Sequence, residues 1–283
     1  MANYPVIDAE RLAFRLGDPR WRVVDCRFDL NDPDAGYNRY LAGHIPGARY
    51  AHLSDDLAAA PKAHEGRHPL PEPEVFAARL GDWGISNSTR IVVYDDQGGA
   101  IAARLWWMLR WVGHEHVAVL DGGLPTWRAS GGVLEEELPE CAQVEFFPHR
   151  VHNEWIVLVQ DVAKLLESGS VLIDARSEDR YRGDSEPLDR VAGHVPGAIN
   201  FPFSVNLTKE GRFRSTVELR AEFLDKLQGR TGRLIAMCGS GVTACHLLLG
   251  MNIAGLGDGQ LFVGSWSQWI QDPKRPVAVG FEA

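Results

Sequence analysis

Cysteine is scarce in this chain of 283 residues: Cys26, Cys141, Cys238 and Cys245 are irregularly placed, and no Cys-x-x-Cys pair occurs. That excludes a disulfide framework and leaves no zinc knuckle or dithiol redox motif, so free thiols are expected. Positive charge is in deficit as well. Lys and Arg number 29 against 38 Asp and Glu, for a net charge of −9, which argues against nucleic acid or an anionic membrane surface as a partner. An anionic small molecule would need local arginine or lysine to overcome the global field. Long apolar runs are missing too: no stretch approaches the roughly 18 residues of a membrane span. Residues 1–5 carry neither a basic n-region nor an apolar h-region, so a cytoplasmic chain is expected. What remains, 45% hydrophobic and 24% charged residues, is an ordinary globular composition with room for two domains of about 130 residues each.

What is present is repetition. Arg22-Val23-Val24-Asp25-Cys26-Arg27 is echoed by Val171-Leu172-Ile173-Asp174-Ala175-Arg176, and Gly43-His44-Ile45-Pro46-Gly47 by Gly193-His194-Val195-Pro196-Gly197. Residues 91–95 pair with 234–238, and 122–127 with 264–269. Each echo falls about 140 to 150 residues downstream, a period far too long for a solenoid, and reads as two copies of one domain. Runs at 22–25, 91–94 and 117–120 read as buried strands, while Ile101, Leu105, Met108, Leu109 and Val112 keep helical spacing. Alternation of strand and helix implies an α/β fold, a parallel sheet flanked by helices, with the ligand site off the carboxyl ends of the strands. The stretch 134–151 is acidic, carries Pro139 and Pro148, and keeps no period. It reads as a linker between an N-terminal domain at 1–133 and a C-terminal domain at 152–283.

The two copies serve as controls for each other. Asp25 and Asp174, Arg27 and Arg176, and His44 and His194 occur in both, so they read as parts of the fold, with Gly-His-x-Pro-Gly as turn chemistry. One histidine in each of two domains makes a poor metal site and nothing else has ligand spacing, so neither metal nor cofactor is expected. Cys238 stands where the first copy has Asp95. It follows the apolar run Leu234-Ile235-Ala236-Met237 and opens onto Gly239-Ser240-Gly241-Val242-Thr243-Ala244; beyond it, Ala244, Leu247, Leu248 and Met251 form a helical stripe. A sulfur at such a junction lies in a curl of backbone N–H groups over a helix N-terminus, which favours a thiolate nucleophile. A buried structural cysteine is the alternative, weakened by two glycines that permit close backbone approach. A cysteine phosphatase would need an arginine closing the loop, where this chain has Ala244. Cys245 reads as core, with a resolving thiol as the alternative.

The tandem repeat and the Cys-Gly-Ser-Gly-Val-Thr-Ala loop resemble the two-domain rhodanese-type sulfurtransferases over residues 6–269, and the loop is similar to that of the 3-mercaptopyruvate sulfurtransferases within them. The resemblance implies tandem rhodanese-like domains of which only the second is chemically competent. It implies that Cys238 takes a sulfane sulfur as a persulfide and passes it to a thiol, such as thioredoxin or a small thiol, or to cyanide. It implies Ser240 as a catalytic partner of Cys238, with Gly239, Gly241, Val242 and Thr243 around the sulfur and Arg180 as the carboxylate or ketone binder. His68 is the histidine implied for Ser240, with Asp55 or Asp56 as its acid. One departure concerns a second substrate arginine after Glu-Pro: this chain reads Glu186-Pro187-Leu188-Asp189-Arg190, which leaves Arg190 as the candidate. Rhodaneses proper resemble Cys-Arg-Lys-Gly-Val-Thr at this loop. Gly239 and Ser240 in place of those cations suit a monoanionic keto acid, 3-mercaptopyruvate, better than dianionic thiosulfate. Thiosulfate as the donor, or a persulfide carrier without turnover, remain as alternatives. The tryptophans read as packing, with Trp266 as a candidate pocket wall.

Overall fold

A computed structural model describes residues 5–140 and 142–281, so Cys141 and nearly all of the opening stretch lie outside the described residues. The chain separates into two compact units, one of residues up to 59, 71–152 and 208–213, the other of 60–70, 153–207 and 214 onward. In the first unit the order is β1 (Val6–Ile7), α1 (Ala9–Ala13), β2 (Trp21–Asp25), α2 (Pro33–Leu41), β3 (Ala48–Tyr50), α3 (Pro73–Asp82), β4 (Arg90–Tyr94), α4 (Ala102–Trp111), β5 (Val117–Leu120) and α5 (Gly123–Ala129). The second unit runs β6 (Ile156–Val157), α6 (Val162–Glu167), β7 (Val171–Asp174), α7 (Glu178–Arg182), β8 (Ile199–Asn200), α8 (Thr216–Leu227), β9 (Leu234–Met237), α9 (Thr243–Ile253), β10 (Gln260–Phe262) and α10 (Ser265–Trp269). Each sheet is parallel, with orders β1-β5-β4-β2-β3 and β6-β10-β9-β7-β8. The strands that precede Asp95 and Cys238 are therefore both central. With both faces covered, they read as unbroken Ile-Val-Val and Leu-Ile-Ala-Met runs instead of alternating ones. Among the described residues, no helix is long and apolar enough to cross a membrane.

The residues shared by the two copies form one structural device. In the first unit the Arg27 guanidinium grips Asp25, with Nη2 to Oδ2 at 2.6 Å, and also donates to the Gly43 carbonyl at 2.8 Å. In the second, Arg176 grips Asp174 at 2.6 Å and the Gly193 carbonyl at 2.7 Å. Each arginine thus ties a strand end to the turn before a histidine. His44 and His194 are buried, stack on Tyr40 and Tyr181 at 4.1 and 3.8 Å, and place Nδ1 at 2.9 and 2.8 Å from the carbonyls of those tyrosines. Losing one member of such a buried ion pair strands the other charge, at a cost of about 3–5 kcal/mol.

The stretch 134–151 stays with the first unit. Glu135 and His44 exchange backbone hydrogen bonds at 2.9 Å, and Glu135 Oε1 accepts from the Gly47 N–H at 2.6 Å. The helix expected around Ile101–Val112 is α4, buried on nearly every side, Trp106 and Trp107 included. It is therefore a core element and not an amphipathic one.

His114, which follows α4, is buried against Phe146. Burial, reinforced by repulsion from His116, pushes its imidazole down from 6.5 to about 4. Because the folded value is depressed, the unfolded chain takes up the proton first as pH falls. Stability is intact above 6.5 and falls between 6.5 and about 4, by about 3 kcal/mol if the group acts alone. His114→Gln should flatten this limb of a melting-temperature profile; an unchanged acid slope would show that other groups set it.

Candidate functional site

Cys238 follows β9 directly and is 2% exposed. Its Sγ accepts a hydrogen bond from the Gly241 N–H at 3.1 Å. Gly241 has φ of +79°, and a Cβ there would run into the Val263 carbonyl, so only glycine can turn this amide onto the sulfur. Val242 caps α9 and Thr243 is its first residue. The sulfur thus faces an amide at the start of an eleven-residue helix. Cys245 is fully buried and donates its Sγ–H to the Gly241 carbonyl at 3.3 Å, four residues back in the chain. It packs in the core.

The loop is clamped by the start of α10. Cys238 N–H donates to Ser265 Oγ at 3.1 Å, Trp266 N–H to the Cys238 carbonyl at 3.0 Å and Ser267 N–H to the Gly239 carbonyl at 2.9 Å. Ser265 is fully buried with φ of +51°, the left-handed region. Its counterpart in the first unit, Gly123, has φ of +58°. The second unit thus accepts a strain of about 1–2 kcal/mol to have a side chain there. That side chain accepts from Cys238 and donates to the Phe262 carbonyl at 2.9 Å. Trp266, also fully buried, donates Nε1–H to the Val191 carbonyl at 2.8 Å and stacks with the Arg176 guanidinium at 4.7 Å. It packs; nothing exposes it as a wall.

Residues 60–70 deliver two side chains to this loop within the second unit. His68 Nδ1 lies 2.8 Å from Ser240 Oγ, both residues being buried. Arg67 N–H donates to Ser267 Oγ at 3.1 Å, and the Arg67 guanidinium pairs with Asp189. Arg180, on α7, is held by Glu186 through Nε at 3.0 Å and Nη2 at 2.7 Å, and by Asp189 at 3.2 Å. Burial opposes the ionisation of Glu186, but the Arg180 hydrogen bonds and charge outweigh it and hold the carboxyl below its ordinary value. Asp189 is pushed above its ordinary value by burial, against the pull of Arg67, with Glu186 repelling. A Cβ on Gly239 would lie 2.9 Å from Arg67 Nη2 and 3.3 Å from Arg180 Nη2. Two guanidinium groups therefore sit on the backbone beside Cys238, and the site is not the uncharged one that Gly239 and Ser240 suggest on their own.

The remaining candidates are engaged otherwise. Arg190 Nη2 donates to the Ile270 carbonyl at 2.6 Å, next to the end of α10; the second cation over the loop is Arg67, which the sequence reading missed. Asp55 pairs with His52 at 3.1 Å, and Asp56 with Arg79 at 2.9 Å, all within the first unit. In that unit Asp95 takes the place of the sulfur: its carboxylate accepts from the N–H groups of Gln97, Gly99, Ile101 and Ala102 at 2.8–2.9 Å.

The family model described as the rhodanese-like domain matches residues 8–130 and again 158–272. The chain belongs to the rhodanese family. A Pseudomonas aeruginosa relative named as a probable 3-mercaptopyruvate sulfurtransferase is 44% identical, over 99% of this chain and 100% of that protein. Bovine thiosulfate sulfurtransferase is 36% identical over 89% of this chain and 86% of that one. The crystal structure of the Escherichia coli 3-mercaptopyruvate sulfotransferase superposes with a TM-score of 0.77 at 33% identity, covering 93% of this chain and 99% of that one. The protein is thus a rhodanese-type sulfurtransferase with two rhodanese-like domains.

The strained serine gives a test. Ser265→Ala keeps the left-handed backbone and loses both hydrogen bonds, at about 1–3 kcal/mol. Ser265→Gly loses the same bonds but relieves about 1 kcal/mol of strain. Thermal melts should rank wild type above Gly and Gly above Ala, while sulfur transfer drops in both; full activity in Ser265→Gly would show that the hydroxyl does not position Cys238.

Proposed function

We propose that this rhodanese moves the sulfur of 3-mercaptopyruvate through Cys238 to a thiol or to cyanide. The observation that carries the choice of donor is the pairing of Ser240 with His68 at 2.8 Å beside Cys238. When sulfur leaves thiosulfate the other product is sulfite, a stable anion that needs no proton. When it leaves 3-mercaptopyruvate, the electrons of the C–S bond stay on carbon as the enolate of pyruvate, which must be protonated. A hydroxyl–imidazole pair at the loop is suited to passing that proton.

On this reading the Cys238 sulfur attacks the donor's thiol sulfur, the C–S bond breaks, and an S–S bond forms to give Cys238–S–SH. The enolate takes a proton by way of Ser240 and His68 and departs as pyruvate. An acceptor thiolate then attacks the outer sulfur, leaves as its own persulfide, and returns the Cys238 thiolate; cyanide leaves as thiocyanate. The amides of Gly239, Gly241, Val242 and Thr243 hold the charge that passes between the two sulfurs, and Arg180 binds the donor's carboxylate. The repeats at 1–133 and 152–283, with the stretch between them, divide the work: the second reacts, and the first, with Asp95 in the reactive position, supports it. Cys26, Cys238 and Cys245 are free thiols, which supports a reducing, cytoplasmic setting.

The reading is tested by kcat/KM on 3-mercaptopyruvate and on thiosulfate side by side, with Cys238→Ser as the blank. Mercaptopyruvate should be preferred by about tenfold or more, equivalent to about 1.4 kcal/mol of barrier. Ser240→Ala should depress pyruvate release far more than thiosulfate turnover. Preference for thiosulfate would make the protein a thiosulfate enzyme, and no steady-state pyruvate at all would make it a carrier.

A further inference from the structure

The turn after Glu186-Pro187 offers Leu188 and Asp189, and Arg190 is spent on the Ile270 carbonyl. A second guanidinium reaches the loop from another segment. We propose that Arg67 and Arg180 together form the anion seat of this enzyme, over Gly239, with Asp189 as the residue that positions both. The inference rests on the sulfur-transfer reading above and narrows its donor to one that carries a planar carboxylate.

Three observations converge. Asp189 takes Arg67 Nη1 on one carboxylate oxygen and Arg180 Nη2 on the other, so one acid, its side chain 4% exposed, holds two cations that would otherwise repel each other. The Arg67 backbone is fixed where the side chain starts, by its N–H bond to Ser267 Oγ and by the close approach of Gly66 to the Gly264 backbone, which leaves no room for a Cβ. Beyond these bonds, Arg67 Nη2 and Arg180 Nη1 have no hydrogen-bond partner among the described residues, and both lie within 3.5 Å of the Cβ position of Gly239. Two guanidinium edges with N–H groups to spare, one residue from Cys238, match the two oxygens of a carboxylate. A Cβ at residue 239 would touch the ends of both guanidinium groups, so the absence of a side chain there leaves the two edges free to approach the backbone. At the outer end of the site the Arg67 side chain is 33% exposed, the position from which a cation meets an incoming anion first.

The test compares alkylation of Cys238 by anionic iodoacetate and neutral iodoacetamide in the full chain, read by mass spectrometry of the Cys238 peptide. In Arg67→Met the ratio of iodoacetate to iodoacetamide rates should fall about tenfold, the size expected of one partly exposed charge at this range; taking the ratio removes any change in the thiolate itself, which slows both reagents alike. Arg67→Lys should recover most of the ratio. KM for 3-mercaptopyruvate should rise in Arg67→Met about as much as the ratio falls, and by a larger factor than any fall in kcat. Asp189→Asn should raise KM even though it leaves the site more positive; a fall in KM would reduce Asp189 to a counter-charge and overturn its positioning role. Equal slowing of both reagents, in Arg67→Met and Arg67→Lys alike, would mark Arg67 as structural and overturn the seat. A reduced ratio in Arg67→Met, alongside a wild type that releases no pyruvate, would uphold the seat and sink the donor assignment.

Discussion

A central strand of a parallel sheet that ends in a tight loop and a helix leaves converging backbone N–H groups at one point, and something must accept from them. Buried and unpaired, such groups cost about 1–3 kcal/mol each. The first unit fills the point with the Asp95 carboxylate, which takes four N–H bonds. The second fills it with the sulfur of Cys238. The two units share their strand order and their Asp-x-Arg clamp and differ in this acceptor. A carboxylate takes four of these amides and has nothing to transfer; the sulfur accepts from the Gly241 N–H at 3.1 Å and keeps a lone pair. The same backbone requirement is therefore met by a carboxylate in one half and by a thiol sulfur in the other.

Holding that sulfur in place falls to the turn at residue 265. In the first unit, glycine adopts the left-handed conformation at no cost, and no side chain reaches the strand end from it. In the second, serine takes the same conformation against its preference. The strain is local, but its return is spread over the loop: the Ser265 hydroxyl, the Trp266 amide and the Ser267 amide bind the backbone of Cys238 and Gly239 at three successive points. A strained residue whose side chain bonds the backbone of Cys238 points to a positioning role.

Much of this could be read along the chain because it is encoded locally. The runs at 22–25, 91–94 and 234–237 announce strands, glycine at 241 announces the turn, and the echoes at Asp174 and Arg176 separate scaffold from chemistry. What escaped was assembled across the sequence. Arg67 meets Asp189 across 122 residues, and Ser265 meets Cys238 across 27. No periodicity or motif marks such pairs, because each is fixed by where whole elements pack. The second guanidinium over Gly239 illustrates this: it comes from the segment 60–70, far in sequence from Arg190. The stretch 134–151 reads by its acidity and prolines as a linker, and the bonds of Glu135 to the turn at His44 and Gly47 carry no mark in the sequence.

The charges around the loop form a ladder of alternating sign. It runs from Asp174 to Arg176 at 2.6 Å, on to Glu186 at 3.2 Å, Arg180 at 2.7 Å and Asp189 at 3.2 Å, and ends on Arg67. Three acids and three arginines cancel, and their mutual attraction and hydrogen bonds offset the cost of taking the inner members out of water. Neutral overall, the ladder is still polar, and its outermost rung is a cation. At physiological salt, charges beyond about 8 Å are largely screened, so the net −9 of the chain counts for little at the loop compared with the rung nearest to it. An acid at the end of the ladder would have made the same neutral core repel an anionic donor. Ending it on Arg67 turns a set of pairs that stabilise the fold into a field that draws an anion toward Cys238.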